Sequence, residues 1–302
     1  EADQVWRIDF QLGWDADPEL EKTPERVIPR IRAMLDHQGF SHLNFELEWV
    51  SVYTFQCRRM GRFRHGRLLF AGDAAHQVSP FGARGANSGI QDADNLMWKL
   101  AAVIQGRASW NLLDTYHEER ALAADENILN STRSTDFITP KSAVSKLFRD
   151  AVLDLAPQHP FARGLVNSGR LSVPTLNLNS SLNTADAEAF EGWMVPGAPA
   201  DDAPLADGQW LLSSLPPGFV LLKFVAAQPG RQALRTAPSL ISPYGDITVL
   251  ELACQGLVAK RYDARENTCY LLRPDGHVAA RFRSFDEAAV RAAQSRAMGA
   301  SI

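Results

Sequence analysis

A short apolar run, Leu68-Leu69-Phe70, gives way to Gly72-Asp73-Ala74-Ala75-His76. The chain continues through Ser79-Pro80-Phe81-Gly82-Ala83-Arg84-Gly85-Ala86-Asn87 into a helical pattern. This stretch restricts the fold more strongly than any other. A strand, a tight glycine turn, a small-residue loop and a helix, in that order, place the backbone at the carboxyl end of a sheet, where α/β folds put ligands. Gly72 permits the tight turn. Asp73, when ionised, only accepts hydrogen bonds and so suits sugar-like hydroxyls. Gly82, Ala83, Gly85 and Ala86 keep bulk off the main chain, so that a flat ring can approach it. Free amides where Asn87 opens the helix, at the positive end of its dipole, favour an anionic group. The string predicts one wall of a site for a planar, hydroxylated, partly anionic ligand.

The 302 residues suffice for about two domains. Apolar residues at 45% and charged residues at 22% are ordinary globular proportions. A net charge of −4 gives no basic footprint for nucleic acid. No stretch approaches the roughly 20 apolar residues of a membrane span. Cys57, Cys254 and Cys269 are widely separated and form neither a CxxC pair nor a metal-ligand set. That usage suits a reducing, cytoplasmic setting, and no metal is expected.

Residues 1–57 read as the remainder of a sheet domain with one helix. Trp6, Ile8, Phe10 and Leu12 alternate with polar residues, the period of a half-buried strand. So clean a strand at the very start is expected of a segment from inside a longer protein. Thr23 can cap a helix with Pro24 at its first position; Val27, Ile28, Ile31, Met34 and Leu35 form its stripe, and Pro29 is a candidate kink. A second alternating strand places Leu43, Phe45, Leu47 and Trp49 on one face and continues through Ser51, Tyr53 and Phe55. Its aromatic face makes Tyr53 and Phe55 candidates for a substrate-pocket wall; a sheet packed on its own core is the plainer alternative.

Residues 58–190 carry the arginine-rich connection 58–67, the opening motif, and a helix from about Asn87 to Ile104. Ile90, Met97, Leu100, Ala101 and Ile104 are its expected apolar face. Further helices are expected over about 111–135 and 141–155, neither with a catalytic constellation. A Pro-, Asn- and Ser-rich covering segment follows from Pro157 to Thr184. Residues 191–302 read as a small α/β unit. Strands are predicted at 219–225, 247–252, 269–273 and 277–282, a hairpin turn at Pro274-Asp275-Gly276, and a closing helix from near Ser284 or Asp286 to about Met298.

Gly72-Asp73-Ala74-Ala75-His76 followed by Pro80, Gly82, Gly85, Asn87 and Asp92 resembles the second flavin motif of the class A flavoprotein aromatic hydroxylases, the p-hydroxybenzoate hydroxylase-like monooxygenases. Tyr53-Thr54-Phe55, Gly66-Arg67 and the helix after Asn87 fit the same pattern. Tyr270-Leu271-Leu272-Arg273-Pro274-Asp275-Gly276-His277-Val278-Ala279-Ala280-Arg281 resembles the last strands of the thioredoxin-like domain in the phenol hydroxylase and 3-(3-hydroxyphenyl)propionate hydroxylase subgroup. The resemblance implies an α/β (α+β) fold, in which a partial FAD-binding and substrate-sheet domain precedes a thioredoxin-like domain. It implies FAD as cofactor, NADH or NADPH as co-substrate, and a small aromatic substrate, with a homodimer left open. The family reaction it implies is reduction of FAD by NAD(P)H, oxygen attack at flavin C4a, and oxygen transfer to an activated phenol.

Residue by residue, the resemblance has Asp73 hold a ribityl hydroxyl, Gly72 and Gly82 shape the loop, and Pro80 sit beside the isoalloxazine. Amides near Gly85, Ala86 and Asn87 meet the pyrimidine edge, and Arg84 adds positive potential. His76 is expected to be structural. The family's GxGxxG, which seats the ADP half of FAD, and its Asp-Gly motif in the dinucleotide domain are not found; Asp207-Gly208 and Asp275-Gly276 lie far downstream. The expectation is a C-terminal portion that binds FAD weakly and is inactive by itself. The thioredoxin-like region has no redox cysteine pair, so packing or dimer contact is its expected role. The alternatives are a related flavin epoxidase or polyketide hydroxylase, and a non-enzymatic truncated paralogue serving as an interaction module.

Overall fold

The computed structural model describes residues 4–13, 15–166, 174–205, 208–227 and 234–300. Asp207 and residues 167–173 of the expected covering segment lie outside the described residues. The order begins with α1 (Pro18–Glu21), α2 (Pro24–His37), β1 (Arg58–Arg59), β2 (Arg64–His65), β3 (Leu68–Leu69) and β4 (His76–Gln77). Four helices follow: α3 (Gly85–Ile104), α4 (Asp114–Ile138), α5 (Ala143–Leu155) and α6 (Pro160–Val166). The last third holds β5 (Phe219–Val225), β6 (Leu234–Leu240), β7 (Ile247–Ala253), α7 (Gly256–Arg261), β8 (Cys269–Leu272), β9 (Val278–Phe282) and α8 (Glu287–Ala297). The mixture of helix and sheet is the expected fold class.

The five-stranded sheet has the order β6-β7-β5-β8-β9. β5 runs parallel to β7 and antiparallel to β8, and β8 and β9 form the expected hairpin. β5 is central because Phe-Val-Leu-Leu-Lys-Phe-Val offers apolar side chains to both faces. Phe219 and Leu221 enter one core with Phe63, Leu112, Leu113 and Tyr116; Val220, Leu222 and Phe224 enter the other with Tyr262 and Tyr270. Full burial of one such side chain stabilises by about 1.5–3 kcal/mol. One core is therefore shared between the sheet and the helices before it. Asp286 caps α8 through the amides of Ala288 and Ala289, as the sequence suggests.

Several expectations are corrected. Residues 5–12 and 43–57 form no strand, and Trp6, Trp49 and Tyr53 are mostly exposed. Alternation predicts which face would be buried, but a strand also needs a hydrogen-bonded neighbour, and none is found among the described residues. Leu68–Leu69 is a two-residue strand paired only with Arg64–His65 in a hairpin. Thr23 precedes α2 without a side-chain cap bond, donating instead to Leu20 O, and Pro29 lies inside an unbroken helix. The expected apolar face of α3 is also wrong: Ile90, Met97 and Ile104 are exposed, while Ser88, Asp92, Asn95 and Lys99 are buried. α6 lies within the expected covering segment, and β6 adds a strand beyond those the sequence predicts. β6 is a half-exposed edge strand containing Pro238, with a register shift between Ala237 and Leu240, so its alternation is blurred.

Candidate functional site

The Gly72–Asn87 stretch wraps the N-terminal end of α3. Gly72–Ala74 forms one 3-10 turn at positive φ for Gly72, and Gly72 packs on Gly89 one helical turn into α3. A Cβ on Gly89 would lie 3.5 Å from the Gly72 Cα. Asp92 fixes this contact. Its Oδ2 accepts the Gly72 amide at 2.9 Å and His76 Nε2 at 2.6 Å, and its Oδ1 accepts Arg120 Nε from α4 at 2.6 Å. Burial pushes the Asp92 carboxyl up, but His76 and Arg120 outweigh it and hold it below its ordinary value. His76 is buried beneath the turn and stacks on Phe63, as a structural residue would. The Tyr116 hydroxyl donates to Phe70 O at 2.7 Å and secures the chain just before the turn.

The loop is held from behind by α4. Ser79 is buried and exchanges hydrogen bonds with the hydroxyls of Ser131, at 2.5 Å, and Thr135, at 2.9 Å. Ser131 Oγ also lies 3.1 Å from Ser79 O and 3.3 Å from Phe81 O. Pro80, between these anchors, is exposed. Phe81 meets Phe55 edge-on at 5.9 Å, and Phe55 lies 6.2 Å from Tyr53. Phe55 therefore adjoins the loop and Tyr53 adjoins Phe55, although their segment is not a strand.

Asp73 is exposed, and no hydrogen bond or ion pair engages its carboxylate among the described residues. Ala83, Ala86 and Asn87 are exposed too. α3 has no side-chain cap bond and no acidic residue in its first turn. The Asn87 side chain turns back to donate to Ala83 O at 2.7 Å. Gly82 adopts φ +93°, and a Cβ there would come within 3.1 Å of Arg84 Nε. Arg84 is buried, its Nη1 3.5 Å from Asn127 Oδ1 of α4. Its charge thus lies beneath the loop, not on the exposed face.

Sequence reasoning missed the polar seam between α3 and α4. Ser88, Asp92, Asn95 and Lys99 recur at i, i+4, i+7 and i+11, one face of a helix. Arg120, Asn127 and Ser131 recur similarly on α4. Arg120 and Asn127 reach Ser88, and Glu119 accepts from Asn95 at 2.7 Å and Lys99 at 2.8 Å. The β8–β9 hairpin joins this seam. Arg273 donates to Glu119 at 2.6 and 3.1 Å and to Asp275 at 2.6 and 3.0 Å; Asp275 accepts from Asn95 at 3.0 Å. Despite burial, Arg273 and Lys99 hold the Glu119 carboxyl well below its ordinary range, and Arg273 and His277 do the same for Asp275. Burial lowers Lys99 against the opposing pull of Glu119.

Residues 2–131 match the FAD binding domain family. The probable NADH-specific resorcinol 4-hydroxylase of Rhodococcus jostii is 31% identical over 284 residues, 90% of this chain and 49% of that protein. The 3-(3-hydroxy-phenyl)propionate/3-hydroxycinnamic acid hydroxylase of Mycolicibacterium smegmatis is 38% identical over 152 residues, 50% of this chain and 26% of that protein. Among solved structures, the flavin-dependent monooxygenase PieE, in complex with FAD and substrate, aligns with a TM-score of 0.66 at 23% identity over 96% of this chain and 57% of that one, a likeness of fold. The chain spans about half or less of the length of the relatives it matches.

Proposed function

We propose that this chain, whose residues 2–131 match the FAD binding domain family and which is similar to proteins named as aromatic hydroxylases, carries the isoalloxazine-and-ribityl side of an FAD site. The protein it serves is an FAD-dependent monooxygenase that hydroxylates a small phenolic or aromatic substrate with NADH or NADPH and dioxygen. One observation carries the reading: the exposed Asp73 carboxylate lies in the 3-10 turn that packs on α3, whose N-terminus has no side-chain cap. The residues present fit a flavin there. Asp73 is available to accept from a ribityl hydroxyl. Amides of Gly85, Ala86 and Asn87 offer positive potential, by about 0.3–1 kcal/mol at exposed sites, to the pyrimidine edge. Ala83 and Ala86 let a planar ring lie against the backbone.

When bound, FAD supplies hydride acceptance from the nicotinamide and activation of dioxygen for transfer to the ring. The chain contributes position and field. Asp92, Ser131 and Thr135 hold the turn so that its amides are already aimed. Pro80 stands at the exposed crest beside the ring, and Tyr53 and Phe55 flank the aromatic substrate. Arg84 acts from beneath the loop as a second source of positive potential.

We further propose the division 1–57, 58–190 and 191–302, the last being thioredoxin-like. The parallel β5–β7 pair, the β8–β9 hairpin and the closing α8 support that topology. Cys254 and Cys269 are both free and, with burial raising both thiols, suit packing and not redox exchange. No helix among the described residues is long and apolar enough to cross a membrane. The test is oxidation of NADH or NADPH by the full-length protein with a panel of phenols, read with product mass. Phenol-stimulated oxidation and a hydroxylated product are expected. No stimulation and no product with any phenol, polyketide-like ones included, would remove the hydroxylase assignment.

A further inference from the structure

We propose that Arg273, in the turn of the distant β8–β9 hairpin, is a positioning residue for the flavin-facing end of α3; the inference rests on the FAD reading above. The N-terminal end of α3 carries no side-chain cap; Asp92, two turns in, ties the helix to the Gly72 turn. Its seam with α4 ties the two helices to each other. Arg273 adds a buried polar tie from this pair to the β8–β9 hairpin. Its guanidinium spans Glu119 of α4 and Asp275 of the hairpin, and Asp275 in turn accepts from Asn95 of α3. Ser180 adds a fourth strand of chain, donating to Glu119 at 2.5 Å.

The side chains of Lys99, Glu119, Arg273 and Asp275 are each at most 1% exposed. Two cations and two anions balance, and out of water they tolerate few arrangements. Arg273 also lies 5.6 Å from the Trp98 ring, which packs edge-on against Phe219 of β5. The helix pair is thus keyed to the five-stranded sheet by a buried polar contact beside the shared apolar core. Asn95 is ten residues from Gly85, about 15 Å along a helix that passes axial displacement on with little loss. A planar fork at position 273 fixes both acceptors at once, which an ammonium does not.

The test compares Arg273→Lys with Arg281→Lys in the full-length protein. Arg281 makes a similar two-bond pair with Asp186 in the same hairpin and does not touch α3. Three readouts are taken: hydrogen exchange of the Ser88–Asp92 amides without flavin, the FAD dissociation constant, and the flavin midpoint potential. Arg273→Lys is expected to speed that exchange at least fivefold, weaken FAD severalfold and make the potential more negative. Arg281→Lys is expected to leave all three within twofold or unmoved, whatever its melting temperature. Equal behaviour of the two variants, or wild-type values for Arg273→Lys, would overturn the proposal. Asp275→Asn, which loosens the same guanidinium, is judged by the same criteria if Arg273→Lys does not fold. A wild-type protein that takes up no FAD would overturn the function reading, and the exchange comparison alone would then decide whether the hairpin positions α3.

Discussion

The two halves of α3 are built on opposite terms. At its N-terminal end, Gly85, Ala86 and Asn87 follow a loop with no side-chain cap, and Asp73, in the turn packed on this helix, is exposed and unengaged among the described residues. Ten residues on, the same helix buries Asn95 and Lys99 against Glu119, Arg273 and Asp275, where each carboxylate receives several donors. An uncapped helix end leaves amides available to a ligand. A buried ion cluster leaves nothing available and is sensitive to the loss of any member. The contrast separates the residues proposed to bind from the residues that hold them in place.

The largest effect that could break this contrast comes from Glu119→Ala. It leaves Lys99 and Arg273 short of an anion in the interior, and chemical denaturation should show a loss of about 3–5 kcal/mol. Asp73→Ala, by the same measurement, should stay within about 0.5 kcal/mol of the parent. A comparable loss from both would erase the distinction. Next, Ser131→Ala removes the hydroxyl that ties α4 to Ser79 and Phe81; a loss of about 1–3 kcal/mol is expected, because buried partners are left unpaired.

Acid should act most strongly through the buried carboxylates. Asp92, Glu119 and Asp275 have folded-state values below their unfolded ones, so their contribution is complete above about pH 5 and is lost as pH falls below about 4. Each unit of depression corresponds to about 1.4 kcal/mol. Melting temperature followed from pH 7 to pH 3 should fall only at the acid end, and Glu119→Gln should flatten that fall. The smallest effect is chemical. With the Cys269 thiol buried and pushed up to about 12, native alkylation at pH 8 should label Cys57 and Cys254 before Cys269. Equal labelling would show that the shared core opens readily.

The binding half of this contrast was legible from residue type. Gly72, Asp73, Gly82 and the small residues before Asn87 have few reasons to occur in that order, and the Gly72 turn packs on α3. The strands 219–225 and 247–253 were legible because apolar runs of that length suit a buried central sheet. The holding half was not. Ser88, Asp92, Asn95 and Lys99 repeat at helical spacing, and a polar stripe ordinarily faces water; that pattern made Ile90, Met97 and Ile104 look buried. Only the matching stripe on α4, with Arg120, Asn127 and Ser131, reveals that two polar faces meet. Asp275 misled similarly. Pro-Asp-Gly announces a surface turn, yet Arg273 and Asp275 are drawn inside to meet Glu119 and Asn95, contacts no local pattern encodes.

The central claim is that the Gly72–Asn87 turn faces a bound flavin. The most direct measurement is the FAD dissociation constant of the full-length protein and its Asp73→Ala variant, by flavin fluorescence titration. The account predicts FAD binding by the parent and about tenfold weaker binding by the variant, the loss of a charge-assisted hydrogen bond, with the melting temperature unchanged. Equal affinity in parent and variant would contradict it.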